Sequence, residues 1–339
     1  MLDSRKNEHL DIVLSGRASH GAATTGFDRV VFEHCALPEL NLPDIRLDCS
    51  FLGKRLNAPL LVSSMTGGPA RAAAINRNLA LACEELGIGL AVGSQRIAIE
   101  GGHAGGLSTD LRRNAPNALL LANFGAAQLN RGFGLDEARR AVDMIGADAL
   151  IIHLNPLQEA VQPEGDRDWR GLLDRIGALA GALDVPLVVK EVGAGISVRV
   201  AGQLLERGIA AIDVAGAGGT SWAAVEAERI ADPVRADLAR SFAGWGIPTA
   251  EAIAELRAAH PGAVIVGSGG IRNGIDAAKA LRLGADIAAQ AAGALGPALE
   301  SDRAVVEHFS ALIEQLRIVC FCTGSGDLDA LRRAPLRPA

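Results

Sequence analysis

Tyrosine is absent from this 339-residue chain, and the other aromatics are sparse, with 3 Trp and 8 Phe. Chemistry that needs a phenolic hydroxyl is therefore excluded. The five cysteines, Cys35, Cys49, Cys83, Cys320 and Cys322, are odd in number and scattered, which argues against a disulfide framework and for a reducing compartment. Cys320 and Cys322 form a lone C-x-C that reads as packing, not metal. No apolar run reaches the roughly 18 residues of a membrane span, because Gly, Asn, Lys or Arg interrupts each one. The opening MLDSRKNEHLD is too charged for a signal peptide. A soluble cytoplasmic protein with no membrane partner is expected. Positive charge is not in excess either: 33 Lys and Arg against 39 Asp and Glu leave −6, with no long basic run. An extended nucleic-acid surface is excluded, and only local cationic sites stay open.

Glycine is what the chain has in surplus: 40 residues, about 12% against a usual 7% or so. Hydrophobic residues at 49% allow a large core. At about 150 residues per domain the length suggests two domains, but one α/β barrel can also fill it. Periodicity decides for the barrel. Short apolar runs bounded by Gly, Pro or Asn fall at 59–65, 88–94, 118–124, 149–154, 186–192, 209–215, 263–268 and 285–290, with amphipathic stretches between them at 70–86, 135–145, 169–183, 197–207, 249–260 and 275–283. Parallel strands alternating with crossover helices make a single (β/α)8 TIM barrel of the α/β class. An open doubly wound sheet would announce itself with G-x-G-x-x-G after its first strand, where this chain reads SMTGGPA. The expected division is an N-terminal arm and cap over 1–57, a barrel over 58–323 whose last helix covers 301–322, and a tail over 324–339. An insertion at about 221–248, after the sixth strand, carries two Trp and is long enough to close over a site.

Barrel chemistry sits at the C-terminal ends of strands, and here those ends are polar. The first run leads into Ser63, Ser64, Met65 and Thr66, the second into Ser94, Gln95 and Arg96, and the third into Asn123. The fourth holds His153, Asn155, Gln158 and Glu159, and the fifth Lys190 and Glu191. Glycine clusters follow the last three: Gly216 to Gly219 before Thr220, Gly267 to Gly270 before Arg272, and Gly293 after Ala291 and Ala292. Bare backbone N–H groups beside helix N-termini bind phosphate. Each cluster alone could be no more than a tight turn. With Lys190 and Asn123 they favour a phosphate-bearing cofactor, most simply FMN. A buried lysine must find an anion, either a reduced flavin or a core carboxylate such as Asp213.

At RKNEHLD, SSMTGG, AVGSQR, ANFGAAQL, IHLNPLQEAVQPEGDRD, VVKEVGAGIS, DVAGAGGTSWAAVE, WGIPTA and GSGGIRNGIDAAKALRLGAD, nearly end to end, the chain resembles the type 2, FMN-dependent isopentenyl-diphosphate delta-isomerases. The resemblance implies an isomerase of isoprenoid precursor biosynthesis that interconverts isopentenyl and dimethylallyl diphosphate. It implies flavin contacts at Ser64, Met65, Thr66, Ser94, Asn123, Lys190, Thr220, Gly269, Gly270, Arg272, Ala291 and Ala292. Substrate contacts are implied at Arg5, Lys6, Ser94, Gln95, Arg96, His153, Asn155 and Gln158, with Glu159 as the Mg2+ ligand. NADPH as flavin reductant and a homo-tetramer or octamer complete the expectation. Phe124 stands where a smaller aliphatic residue is common, and no departure touches a residue carried over.

The chemistry is consistent with those residues. A 1,3-allylic proton shift on an unactivated alkene passes through a tertiary cation, which needs a dry, electron-rich surface beside it. Reduced FMN is the expected acid/base. Gln158 and His153 are the expected catalytic side chains, Gln158 positioning the alkene or the proton's exit and His153 also facing phosphate. Glu226 is a rival base whose plainer reading is a solvated helix charge. Among other readings, a hydroxy-acid oxidase on the same barrel would lean on active-site tyrosine, and an inosinate-dehydrogenase-like enzyme would need a cysteine in GAGGTSW. A non-catalytic flavin or phosphate-ligand sensor would not need His153, Gln158 and Glu159 at one strand end.

Overall fold

The computed structural model describes the backbone of residues 2–16, 23–65, 70–102 and 104–338, and the side chains of all of these except 2–7 and 70. An antiparallel hairpin comes first, β1 (Cys49–Phe51) and β2 (Lys54–Leu56). Eight parallel strands follow: β3 (Leu60–Val62), β4 (Gly89–Ala91), β5 (Leu120–Gly125), β6 (Ala149–Leu154), β7 (Leu187–Glu191), β8 (Ala211–Asp213), β9 (Ile265–Ser268) and β10 (Ile287–Gln290). They close in sequence order, β10 pairing with β3. All eight expected strands form, and β6 has the expected bounds. Most of the others are shorter than their apolar runs, because the residues at the rim leave the ladder to become loops.

Period-two alternation sorts the strand residues between two cores. Leu61, Leu121, Ala149, Ile151, Val188, Ala211, Val266 and Ala289 form the inner cluster, and Phe51 and Leu56 of the hairpin pack into it. Leu150, Ile152, Val189 and Ile212 join the larger cluster shared with the surrounding helices. Helices Ala70–Leu86 and Leu135–Ile145 fall as expected. The second begins where Glu137 Oε2 accepts the Gly134 N–H at 2.9 Å and ends on left-handed Gly146, φ 59°, a conformation glycine tolerates without strain. Helix Asp302–Cys322 closes the barrel. The segment before it in space is the cap, whose Ile45 and Leu47 pack with Leu316, Cys320, Leu328 and Leu331.

After β8 the chain makes two helices, Trp222–Arg229 and Pro233–Ser241. Each starts on a side-chain cap: Ser221 Oγ accepts from Ala224 N, and Asp232, ahead of Pro233, accepts from Val234 N. Helix Leu2–Leu14 lies against the first of them, with Ile12 and Val13 on Val225 and Trp222.

Two matching arginine clamps tie strand starts at the opposite, N-terminal end. Arg112 donates to the carbonyls of Gly146, Ala115 and Ala118 and to Asp148 Oδ2 at 2.7 Å, while Asp148 Oδ2 also accepts the Leu120 N–H. Arg257 repeats this with Gly284, Pro261, Ala263 and Asp286 Oδ2, and Asp286 Oδ2 accepts the Ile265 N–H. Lys54 of the hairpin adds an ion pair to Asp148 at 3.2 Å. Charge-assisted bonds such as these are the strong kind. Arg257→Ala should cost about 3 kcal/mol, seen in thermal or urea unfolding as a midpoint well below that of the unaltered protein; an unmoved midpoint refutes the clamp.

Candidate active site

At the C-terminal rim the inward positions turn polar. Register pairs Gly125 with His153, His153 with Lys190 and Lys190 with Asp213. Asn123 joins the ring as a bridge: its Nδ2 donates to Ser64 Oγ at 2.7 Å and its Oδ1 lies 2.8 Å from His153 Nδ1. That bond assigns the proton to Nδ1 and turns Nε2 the other way. Gly125 makes room for the ring, since a Cβ there would stand 2.8 Å from His153 Nε2. Lys190 is buried, its Nζ donating to Glu191 O at 2.6 Å. The ion pair with Asp213 does not form: among the described residues no carboxylate oxygen lies within 4.0 Å of Nζ. Asp213 instead accepts the Ser268 hydroxyl. Burial raises its carboxyl, opposed by the Lys190 charge, Ser268 and the Ala215 N–H. Glu191 is pushed up to about 6 by burial, although the N–H groups of Val192, Gly193 and Ala194 converge on its Oε2.

A second polar run crosses from β6 to the insertion. Helix Pro156–Val161 follows β6 directly and brings Gln158 and Glu159 beside Asn155. Asn155 Nδ2 donates to Gln158 Oε1 at 3.1 Å and to Glu159 Oε1 at 2.9 Å. Gln158 Nε2 donates to Glu226 Oε1 at 2.9 Å, which also meets His9 Nε2 at 3.0 Å. Arg229 pairs with Glu226 Oε2 at 2.6 Å, and the His9 ring stands edge-on to Trp222. Glu226 is 0% exposed, so the reading of it as a solvated helix charge is corrected: the N-terminal helix and Gln158 seal it from water. Burial alone would raise its carboxyl, but the bonds from His9 and Gln158 and the Arg229 charge hold it below the usual range. Glu159 Oε2 accepts the Asp166 N–H at 2.6 Å. A Cβ at Gly165 would stand 1.8 Å from Glu159 O, so that loop can close on Glu159 only through glycine. Asp166 in turn holds Arg131 at 3.2 Å and Arg96 at 3.6 Å.

The third part is a backbone cradle. Thr249 Oγ1 bonds Gly269 O at 2.7 Å and Ala217 O at 3.2 Å, locking the loops after β8 and β9 together. Gly218, Gly269 and Gly270 have φ of 112°, 104° and 71°, which side-chain-bearing residues rarely adopt. A Cβ on Gly219 would stand 2.6 Å from Gly270 N. Arg272 reaches Gly218 O, and Ala291 precedes helix Ala292–Glu300. The tightness is between protein segments: a Cβ on Gly218 would stand 2.3 Å from Thr25 N, and one on Gly270 2.4 Å from Thr25 Cγ2. Glycine turns of this kind can offer backbone N–H groups to a phosphate.

The remaining expected residues separate. Met65 packs on the core, and Ser94 Oγ lies 3.5 Å from Arg96 N. Thr220 follows the cradle, only partly buried. Gln95 is not brought to the rim: wholly buried, its amide donates to Ala141 O and accepts the Asn123 N–H, so its side chain pins β5 to a helix. Thr66 and the side chains of Arg5 and Lys6 lie outside the described residues. Sequence reasoning missed His9, Arg229, Ser268, Arg131 and Asp166, and named Asp213 only as a core carboxylate that Lys190 could pair with. His9, Asp213, Ser268 and Asp166 lie inside the segments that carry the family resemblance, so position in those segments was the one available signal.

Comparison with known proteins adds to this geometry. The FMN-dependent dehydrogenase family matches residues 154–338. The chain is 63% identical over 335 residues to an isopentenyl-diphosphate delta-isomerase of Stutzerimonas stutzeri, covering 99% of this chain and 97% of that protein. It is 59% identical over 336 residues to the enzyme of that name from Pseudescherichia vulneris, covering 99% and 97%. For Synechococcus sp. the identity is 51% over 338 residues, covering 99% and 97%. Among solved structures, a mandelate oxidase mutant with a monooxide FMN adduct superposes with a TM-score of 0.67 at 19% identity, covering 95% of this chain and 92% of that one. That likeness concerns the barrel alone. Identity of this extent over nearly the whole length places the chain in the isopentenyl-diphosphate delta-isomerase family, enzymes built on the barrel of the FMN-dependent dehydrogenases.

Proposed function

We propose that this enzyme interconverts isopentenyl and dimethylallyl diphosphate by a 1,3-allylic proton shift, with reduced FMN over Lys190 and Mg2+ at Glu159. The observation that carries the reading is the unbroken hydrogen-bonded run from His9 through Glu226, Gln158 and Asn155 to Glu159, beside a cradle that only glycine can line. When bound, reduced FMN supplies the acid/base group and an electron-rich face. The chain's own residues do the rest. Gln158, held by Glu226, orients the alkene. Glu226 is the ionised group that a developing positive charge would meet, and His9, Trp222 and Ile12 keep water from it. Arg96 and His153 hold the diphosphate, joined by Arg5 and Lys6 of the N-terminal helix, and Asn155 steadies Glu159. Among the described residues no group of three or more His, Cys, Asp or Glu converges on a metal site, so Mg2+ would be shared between Glu159, water and diphosphate oxygens, the sparse protein ligation this ion accepts. Lys190 offsets the negative charge of the reduced cofactor.

The division into an arm and cap over 1–57, a barrel over 58–323 and a tail over 324–339 belongs to the same reading. Its support is that helix Leu2–Leu14 packs on the insertion helix Trp222–Arg229, so the arm finishes the site instead of forming one of its own.

Isopentenyl diphosphate incubated with Mg2+ and the enzyme holding reduced FMN should give the dimethylallyl isomer by NMR. No product from enzyme shown to hold reduced flavin defeats the proposal. Gln158→Ala and Glu226→Gln should each lower kcat about a hundredfold or more with KM changed far less, and wild-type turnover in both would remove the run from the mechanism. Gly219→Ala should lose FMN on gel filtration while keeping its far-UV circular dichroism, because the added Cβ displaces the Gly270 backbone; full FMN occupancy would show that the cradle is not the phosphate site.

A further inference from the structure

One buried charge has no part in the mechanism above. Asp213, 1% exposed, points into the barrel at the register position beside Lys190. Its Oδ1 accepts the Ser268 hydroxyl. Its Oδ2 is, among the described residues, the one buried side-chain oxygen or nitrogen without a hydrogen-bond partner. A carboxylate left half-satisfied in a dry core is costly. Lys190 is likewise under-matched: Nζ donates to one carbonyl, and the neighbouring Glu191 carboxylate is already occupied by three N–H groups. Burial favours the neutral form of Asp213 and the Lys190 charge the ionised one; the two incompletely satisfied groups face one space from adjacent strands.

We propose that Asp213 is a positioning residue that sets how much of the Lys190 charge reaches the flavin, keeping the barrel floor near neutral beneath it. The proposal rests on the reading that places FMN over Lys190. Its physical content is a balance. A lone buried ammonium would stabilise the added negative charge of a reduced flavin and draw electron density toward itself. An isomerase exchanges no electrons with its substrate, so it gains nothing from an easily reduced flavin and loses the electron-rich face that a cationic transition state needs. A carboxylate one strand away cancels part of the lysine's field without touching flavin or substrate. Ser268 fixes the carboxylate by one oxygen, two residues before Ala215, which takes the unusual φ of 37° at the start of the cradle loop.

The test is the two-electron midpoint potential of bound FMN, measured anaerobically against a reference dye. Asp213→Asn keeps the shape and an acceptor for Ser268 while removing the charge. Its reduced flavin should be bound about tenfold more tightly relative to the oxidised form, a potential about 30 mV less negative than that of the unaltered holoenzyme. Asp213→Thr, a second neutral replacement, should shift it in the same direction. In a Lys190→Gln background the effect of Asp213→Asn should largely vanish. An unchanged potential in both neutral variants overturns the proposal, as does a full-sized shift without Lys190. Failure of both variants to hold FMN also overturns it, leaving Asp213 as a folding residue. Unaltered enzyme that makes dimethylallyl diphosphate but shows no shift on substitution sinks only the role of Asp213; unaltered enzyme that binds no flavin sinks the reading beneath it.

Discussion

In a closed barrel every second strand residue points into a space that water does not fill, and the candidate site is built on what stands there. Toward the strand starts the inward residues are apolar and sealed by Phe51 and Leu56 of the hairpin. One layer higher they become Asn123, His153, Lys190, Asp213 and Ser268. Polar groups in that position cannot turn away to solvent, so they must satisfy one another or a ligand. Asn123 and His153 do the first. Lys190 and Asp213 do so only in part.

The remaining polar machinery stands above this layer and comes from loops, as is usual for barrels. What distinguishes it is that its members are bound to each other before anything else arrives. The run from His9 to Glu159 joins a helix near the N-terminus, the insertion after β8 and the helix after β6. Glu226 stays ionised there because each of its oxygens meets a donor. Prearranged dipoles need not reorganise when charge develops. The N-terminal helix is thus a wall of the candidate site, although residue number would put it far from β6 and the insertion.

The barrel itself was legible because its signal is local. Apolar runs of strand length separated by amphipathic stretches admit few arrangements, and all eight strands form where such runs occur. The glycine surplus was legible too, since φ near 100° at Gly218 and Gly269 and contacts under 3 Å leave no room for a side chain. Gln95 and Glu226 were less readable. Both are polar residues near a strand end or on a helix, and nothing in their neighbours along the chain tells whether they face solvent, ligand or core. Gln95 faces Ala141 and the backbone of Asn123, and Glu226 faces a histidine 217 residues away.

Strand order, the closed sheet, the polar rim and the glycine-lined turns were thus determined by sequence alone, because alternation and backbone freedom act over a few residues. Only the tertiary structure decided which polar side chains meet. It turned Gln95 inward, buried Glu226 between two distant helices, and left Asp213 beside Lys190 without an ion pair. Those outcomes depend on which surfaces are brought together when the barrel closes, and on where water is then shut out.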